Sequence, residues 1–353
     1  MSLRIAGLLG CALLMTGGAG AAVAQSSVTL QVGCYGGAFT DAEAKYAGAP
    51  YTRRTGVKIE WINGNPSDHL AKMIASKGRI APYDAVYLDD DIEVEAIAAG
   101  VLDKNSESEV PNLKYLYDEA KNKDGYGPAM NFYSVGIAYN EAKFKAAGIP
   151  APTSWADLWN PQLAGHVGVP TLENTMGHAF LVAAEYLAGG DESTPDKGID
   201  KIAGIKAQSY PGASPVLDAL FSSGDVWVAP WLNGRTWGLI GRGLPLRYVL
   251  PKEGGYFGTT NIALAAGAQH RKEALDFMNE VLGPLSQLGM LYDIPYGPTT
   301  KVLAPVLAAY PDMAKKFPSS AEDIAKLKVI NWAVFHREYP RAIDLWNRKI
   351  ASK

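Results

Sequence analysis

Cysteine is scarce in this chain: only Cys11 and Cys34 occur among 353 residues. Two thiols so placed offer no disulfide framework of the kind that staples small secreted domains. Histidine is scarce too. The five that occur (His69, His166, His178, His270, His336) show no H-E-x-x-H or H-x-x-x-H pairing, so no metal site is expected. There is no G-x-S-x-G nucleophile elbow and no G-x-x-x-x-G-K-[ST] phosphate loop. Gly33, Gly36 and Gly37 have the wrong spacing for a dinucleotide fingerprint. Positive charge is not in excess, since 33 Lys and Arg against 36 Asp and Glu give a formal net charge of −3. That balance argues against nucleic acid or an anionic membrane surface as partner. No catalytic residue, cofactor or resident metal is therefore expected, and binding is favoured over catalysis.

What is present begins with residues 1–24. Arg4 supplies a positive start, Ile5 to Met15 an apolar stretch, and Ala22-Val23-Ala24 a small-residue end before Gln25. This is the pattern of an export signal cleaved after Ala24, and it is shorter than the roughly 20 apolar residues a bilayer span needs. Leu8-Leu9-Gly10-Cys11 has the composition of a lipoprotein box, but it lies inside the apolar stretch, which disfavours lipidation. Cleavage leaves 329 residues, a net charge of −4 and Cys34 as the last cysteine. Such a chain must rely on core burial, and it is long enough for two cores.

Strand and helix patterns then alternate. Val28 to Val32, the T-G-V-K-I-E-W run from Thr55 and Tyr83 to Leu88 read as strands. Asn65-Pro66 and Glu93 to Ala99 mark helices, the second stopped by Gly100. The second half repeats the logic, with strands at Ser134–Tyr139, His166–Val169 and Gly224–Ala229 and helices at Met176–Leu187 and Ser214–Phe221. A helix after Gln269 places Leu275, Met278 and Leu282 on one stripe. Alternation of this kind marks a mainly parallel sheet covered by helices. No long linker separates the halves.

Four segments carry a resemblance: T-S-W-A-D-L-W-N-P from Thr153, W-L-N-G from Trp231, Y-V-L-P-K-E-G-G from Tyr248 and I-P-Y-G-P-T-T from Ile294. In these, and in their order, the chain resembles the spermidine/putrescine-binding proteins of bacterial ABC importers, a branch of the extracellular solute-binding proteins, family 1. The resemblance implies a periplasmic-binding-protein-like α/β fold with two lobes, mixed mainly parallel sheets and crossing hinge strands (type II). It divides the chain into lobe 1 (residues 28–130 plus 259–298) and lobe 2 (131–258 plus 299–353). It further implies a monomeric, periplasmic, non-enzymatic receptor that hands a small solute to an inner-membrane ABC permease.

Ligands of open α/β sheets sit beyond the carboxyl ends of the strands. The resemblance and that rule together nominate Tyr35, Gly36, Gly37, Asp89, Asp91, Glu173, Trp231, Arg235, Thr260 and Tyr296 as ligand-binding residues. Tyr35, Trp231 and Tyr296 match aromatic positions of the polyamine binders, with Trp231 expected to form an aromatic wall. The family's Trp and Asp just after P-K-E-G-G are replaced by Gly258 and Thr260, so its amine anchor is missing. In its place the chain carries Asp89-Asp90-Asp91 after the third strand. Asp90 with Glu93 forms a D-x-x-E capping box, which needs one aspartate rather than three. Adjacent carboxylates repel unless donors or a cation relieve them, so Asp89 or Asp91 is expected to meet ligand charge, with pure capping as the alternative. Arg235 is expected to clamp a carboxylate or to pair with an acid such as Asp225. A small amine-bearing solute, polyamine-like or zwitterionic, is the favoured ligand. The alternatives are a carboxylate or opine-like ligand held by Arg235 and the N–H groups near Gly36-Gly37, an odd ferric site of Asp89, Asp91 and His69, and, outside the class, a secreted α/β hydrolase.

Overall fold

The computed structural model describes residues 28–318 and 326–351, so the expected leader lies outside the described residues. Its frame is a twelve-stranded sheet: β1 (Thr29–Cys34), β2 (Lys58–Asn63), β3 (Ala85–Asp89), β4 (Leu102–Asp103), β5 (Ala129–Asn140), β6 (Val167–Gly168), β7 (Ala207–Ser209), β8 (Val228–Leu232), β9 (Leu246–Val249), β10 (Gly255–Ala265), β11 (Gly297–Pro298) and β12 (Leu327–Lys328). The main path runs β2-β1-β3-β10-β5-β8-β6-β7. β1 lies parallel to β2 and β3, and β6 lies parallel to β7 and β8. The two long strands break this rule, β10 running antiparallel to β3 and β5, and β5 antiparallel to β8.

Length explains what the long strands do. β10 pairs with β3 through Thr260–Leu264 and with β5 through Tyr256–Asn261, while β5 pairs with β8 through Val135–Tyr139. Each therefore belongs to one half-sheet and bonds across to the other. The halves, β2-β1-β3-β10 and β5-β8-β6-β7, each hold three parallel strands and one long antiparallel strand. A register shift at Thr260/Asn261 interrupts the central pairing beside the strand ends that face the site.

Local sequence accounts for most boundaries. Gly100 ends the helix Asp90–Ala99 in the left-handed conformation (φ 65°). Ser154 and Asp157 close a capping box on the short helix Trp155–Trp159. Leu275 and Met278 are buried along the helix Arg271–Val281, and Leu282 is buried just beyond it. Pro66 opens the helix Pro66–Ala75, but the Asn65 side chain does not cap it; its amide reaches Gly212 O instead (3.0 Å). The largest buried cluster runs continuously through both half-sheets, and a smaller one lies beneath the helices Pro66–Ala75 and Asp90–Ala99. The helix Trp332–Trp346 leans on both halves: Trp332 donates to Asp90 (2.8 Å) and Arg341 pairs with Asp196 (3.0 Å). Cys34 is fully buried, and burial pushes its thiol up to about 12, as inert packing requires.

Candidate functional site

A small cavity opens where the strands of the two half-sheets end. Its first wall comes from Tyr35 and Phe39 after β1, Asn65 and Pro66, and Asp89 at the end of β3. The facing wall comes from Asn174, Met176, Ser214, Leu232 and Arg235. Tyr133 of β5, Thr260 of β10 and Tyr296 before β11 form the floor between them. About 30 Å³ of open space remains, room for roughly two waters, so a solute of any size must part the walls. A larger apolar cavity of about 780 Å³ lies against Phe132, Phe257, Phe317 and Leu327.

The aspartate triplet is neither a simple cap nor a solvated run. Asp89 occupies the N-cap position of the helix Asp90–Ala99, yet its side chain makes no capping bond. The expected Asp90–Glu93 box is not made. Glu93 instead accepts from Asn261 Nδ2 (2.5 Å), and Asp90 accepts from the Trp332 indole (2.8 Å). Asp89 accepts from the Tyr35 hydroxyl (2.7 Å) and the Thr175 hydroxyl (2.6 Å). Asp91 is fully buried against His178 Nδ1 (2.6 Å), Thr175 Oγ1 (3.2 Å) and its neighbour's N–H at Ile92 (2.8 Å). Burial, then the charge of Asp91, pushes both Asp89 and Asp90 up to about 7.

Thr175 and His178 start the helix Thr175–Leu187, which packs on the second half-sheet, whereas the triplet leaves the first. The triplet therefore bolts the two halves together. His178 Nε2 faces the Leu172 carbonyl (3.0 Å), so the ring spans that carbonyl and the Asp91 carboxyl group. Two further bonds cross the same mouth: Ser67 Oγ donates to Glu173 O (2.7 Å), and Asn65 donates to Gly212 O.

Of the nominated residues, Tyr35, Asp89, Arg235, Thr260 and Tyr296 meet around the cavity. The others do not line it. Trp231 is fully buried with its indole N–H unpartnered, because alternation along β8 sends it to one face and Leu232 to the other. The rings that line the cavity are Tyr35, Phe39, Tyr133 and Tyr296. Glu173 is exposed beside Thr171. Asp91 is consumed by His178. Gly36 and Gly37 turn the chain out of β1 with positive φ, and the Gly36 N–H is spent on Thr40 Oγ1 (2.9 Å), so it offers nothing to a carboxylate. The acid paired with Arg235 is Asp218 (2.9 Å), not Asp225, which bonds Ser223. His69 lies between the Tyr83 hydroxyl and Cys34 O, away from any oxygen-rich ferric site, and no metal-holding cluster of His, Cys, Asp or Glu occurs among the described residues.

Sequence reasoning missed Tyr133, Met176 and Ser214 in the cavity and His178 and Trp332 around the triplet; it placed Phe39, Asn174 and Thr175 only within the ligand-facing segments Cys34–Phe39 and Thr171–Thr175. Thr175 and His178 stand three apart, one helical turn, on the face toward the triplet. Tyr133 had no such signal.

Loops converging from two half-sheets on one buried cleft, with crossing central strands, define the substrate-binding component of an ABC importer. The chain belongs to the bacterial extracellular solute-binding proteins, whose family model matches residues 47–316. It is 27% identical over 266 residues to spermidine/putrescine-binding periplasmic protein 1 of Haemophilus influenzae, covering 72% of this chain and 71% of that one. Solved structures share the fold. The binding protein MotA of A. tumefaciens B6, in complex with glucopine, superposes with a TM-score of 0.76 at 19% identity, over 91% of this chain and 99% of that one. An ABC transporter structure from Clostridium perfringens gives 0.66 at 24%, over 91% and 99%. Solute-binding proteins of such importers bind small solutes and pass them to a membrane permease. No helix among the described residues is long and apolar enough to cross a membrane.

Proposed function

We propose that this protein is a monomeric, non-catalytic periplasmic receptor, exported by cleavage after Ala24, that closes two lobes on a small amine-bearing solute. The lobes are residues 28–130 plus 259–298 and residues 131–258 plus 299–353, hinged through β5 and β10. One observation carries the amine reading. The polyamine binders place an aromatic ring and a carboxylate where this chain has Gly258 and Thr260, and the neighbouring strands replace both. A Cβ at Gly258 would lie 2.4 Å from the Tyr133 ring, so the missing side chain makes room for that ring. Asp89 stands opposite Thr260 in the β3–β10 register and lines the cavity. Ring and carboxylate are thus both present, supplied from β5 and β3. An ammonium held by a carboxylate beside an aromatic face is a favourable arrangement.

A thermal-shift screen of polyamines, amino acids, opines and dicarboxylates tests the reading, since a specific solute raises the melting temperature by mass action. Amine-bearing solutes should stabilise the protein. Stabilisation by dicarboxylates alone would overturn the amine assignment.

A further inference from the structure

Among the described residues, Arg235 is the one guanidinium on the cavity wall. It is 96% withdrawn from solvent (4% exposed) and sits on the first turn of the helix Asn233–Gly241. Its Nη1 donates to Asp218 at 2.9 Å. That pairing is one-sided, because the other Asp218 carboxyl oxygen is buried without a partner. A guanidinium built only to neutralise Asp218 would be expected to engage both oxygens in parallel, the strongest geometry open to the pair. Here Nη1 is given to one Asp218 oxygen, and Arg235 lines the cavity within hydrogen-bond reach of the Tyr296 hydroxyl. Gly234 makes this placement possible, since a Cβ there would come within 2.5 Å of the Tyr296 ring.

We infer that the solute carries a carboxylate as well as an amine, and that Arg235 with the Tyr296 hydroxyl receives it. The inference rests on the receptor reading above and narrows it from amines in general to zwitterions. Asp89 on one wall and Arg235 on the other present opposite charges to a single cavity. A diamine would set one ammonium against a buried guanidinium. That repulsion is costly in a water-poor site and would exclude the diamine. A dicarboxylate would meet the same problem at Asp89.

The test is isothermal titration with matched linear solutes: 4-aminobutanoate and 6-aminohexanoate, putrescine and 1,6-diaminohexane, succinate and adipate. The zwitterions should bind at least tenfold more tightly than the diamines and dicarboxylates of like length. Removing Arg235 alone strands Asp218, so the informative variant is Arg235→Met with Asp218→Asn, with Arg235→Lys alongside to keep the charge but lose the planar fork. The double variant should keep its circular dichroism and lose zwitterion affinity at least tenfold. Diamine binding that is unchanged or stronger than zwitterion binding in the parent protein would overturn the carboxylate clamp while leaving the amine receptor standing. Failure of all six solutes would overturn the clamp as stated. Failure of every solute in the broader screen as well would remove the receptor reading.

Discussion

Thr175 has one hydroxyl hydrogen and two carboxylates within reach, Asp89 at 2.6 Å and Asp91 at 3.2 Å. One hydrogen cannot satisfy both, and the repulsion left between the two carboxylates favours a proton on Asp89. Burial, then the Asp91 charge, moves Asp89 from its ordinary 3.8 up to about 7, so that proton is held across the acidic range. A cationic solute needs the anion. Its affinity should therefore rise with pH up to about 7 and level off above, falling by up to tenfold per pH unit on the acid side, and binding near neutrality should release a proton. Calorimetry in buffers of different ionisation enthalpy measures that proton directly. Affinity that is flat from pH 5 to 8 would show that Asp89 does not change state on binding.

At the scale of the element, β8 shows how one residue of register decides a role. Trp231 and Leu232 are adjacent in sequence and opposite in direction, so the ring that matches a family aromatic is buried in the core while its neighbour touches the cavity. Trp231→Ala should therefore cost stability, about 3–5 kcal/mol as expected for truncating a buried tryptophan, measured by urea denaturation. A variant of unchanged stability and lost solute affinity would place the indole in the site instead. Much of the element pattern was legible in the chain. Pro66 and Gly100 mark helix ends that the structure keeps, and the apolar stripe after Gln269 is buried. The triplet was legible as something more than a cap, because three adjacent carboxylates require outside donors. The donors themselves were not. Thr175, His178 and Trp332 lie 84 to 242 residues away along the chain, and neither periodicity nor motif spacing reports a contact of that range. Tyr133 was hidden for a related reason: its place against Gly258 depends on how β5 and β10 pair, which is a property of the sheet.

At the scale of the whole molecule, the proposed two-lobe closure makes the bonds across the cleft mouth the ones that would break on opening. They join segments at the tips of otherwise separate helices: Asn65 and Ser67 with Gly212 and Glu173, Asp89 and Asp91 with Thr175 and His178. β5 and β10 pair through the middle, and in the proposed motion that central ladder is kept while the halves rotate. A solute shifts such an equilibrium only by what it contributes more to the closed form than to the open one, and contacts from both walls supply that difference. Spin labels at Lys72→Cys and Lys197→Cys, exposed positions on the helices Pro66–Ala75 and Pro195–Ile202, report the separation directly, because Cys34 is buried and takes no label. A solute that raises the melting temperature should shorten and sharpen the inter-label distance distribution, whereas saturating binding with the distribution unchanged would contradict closure of two lobes on the solute.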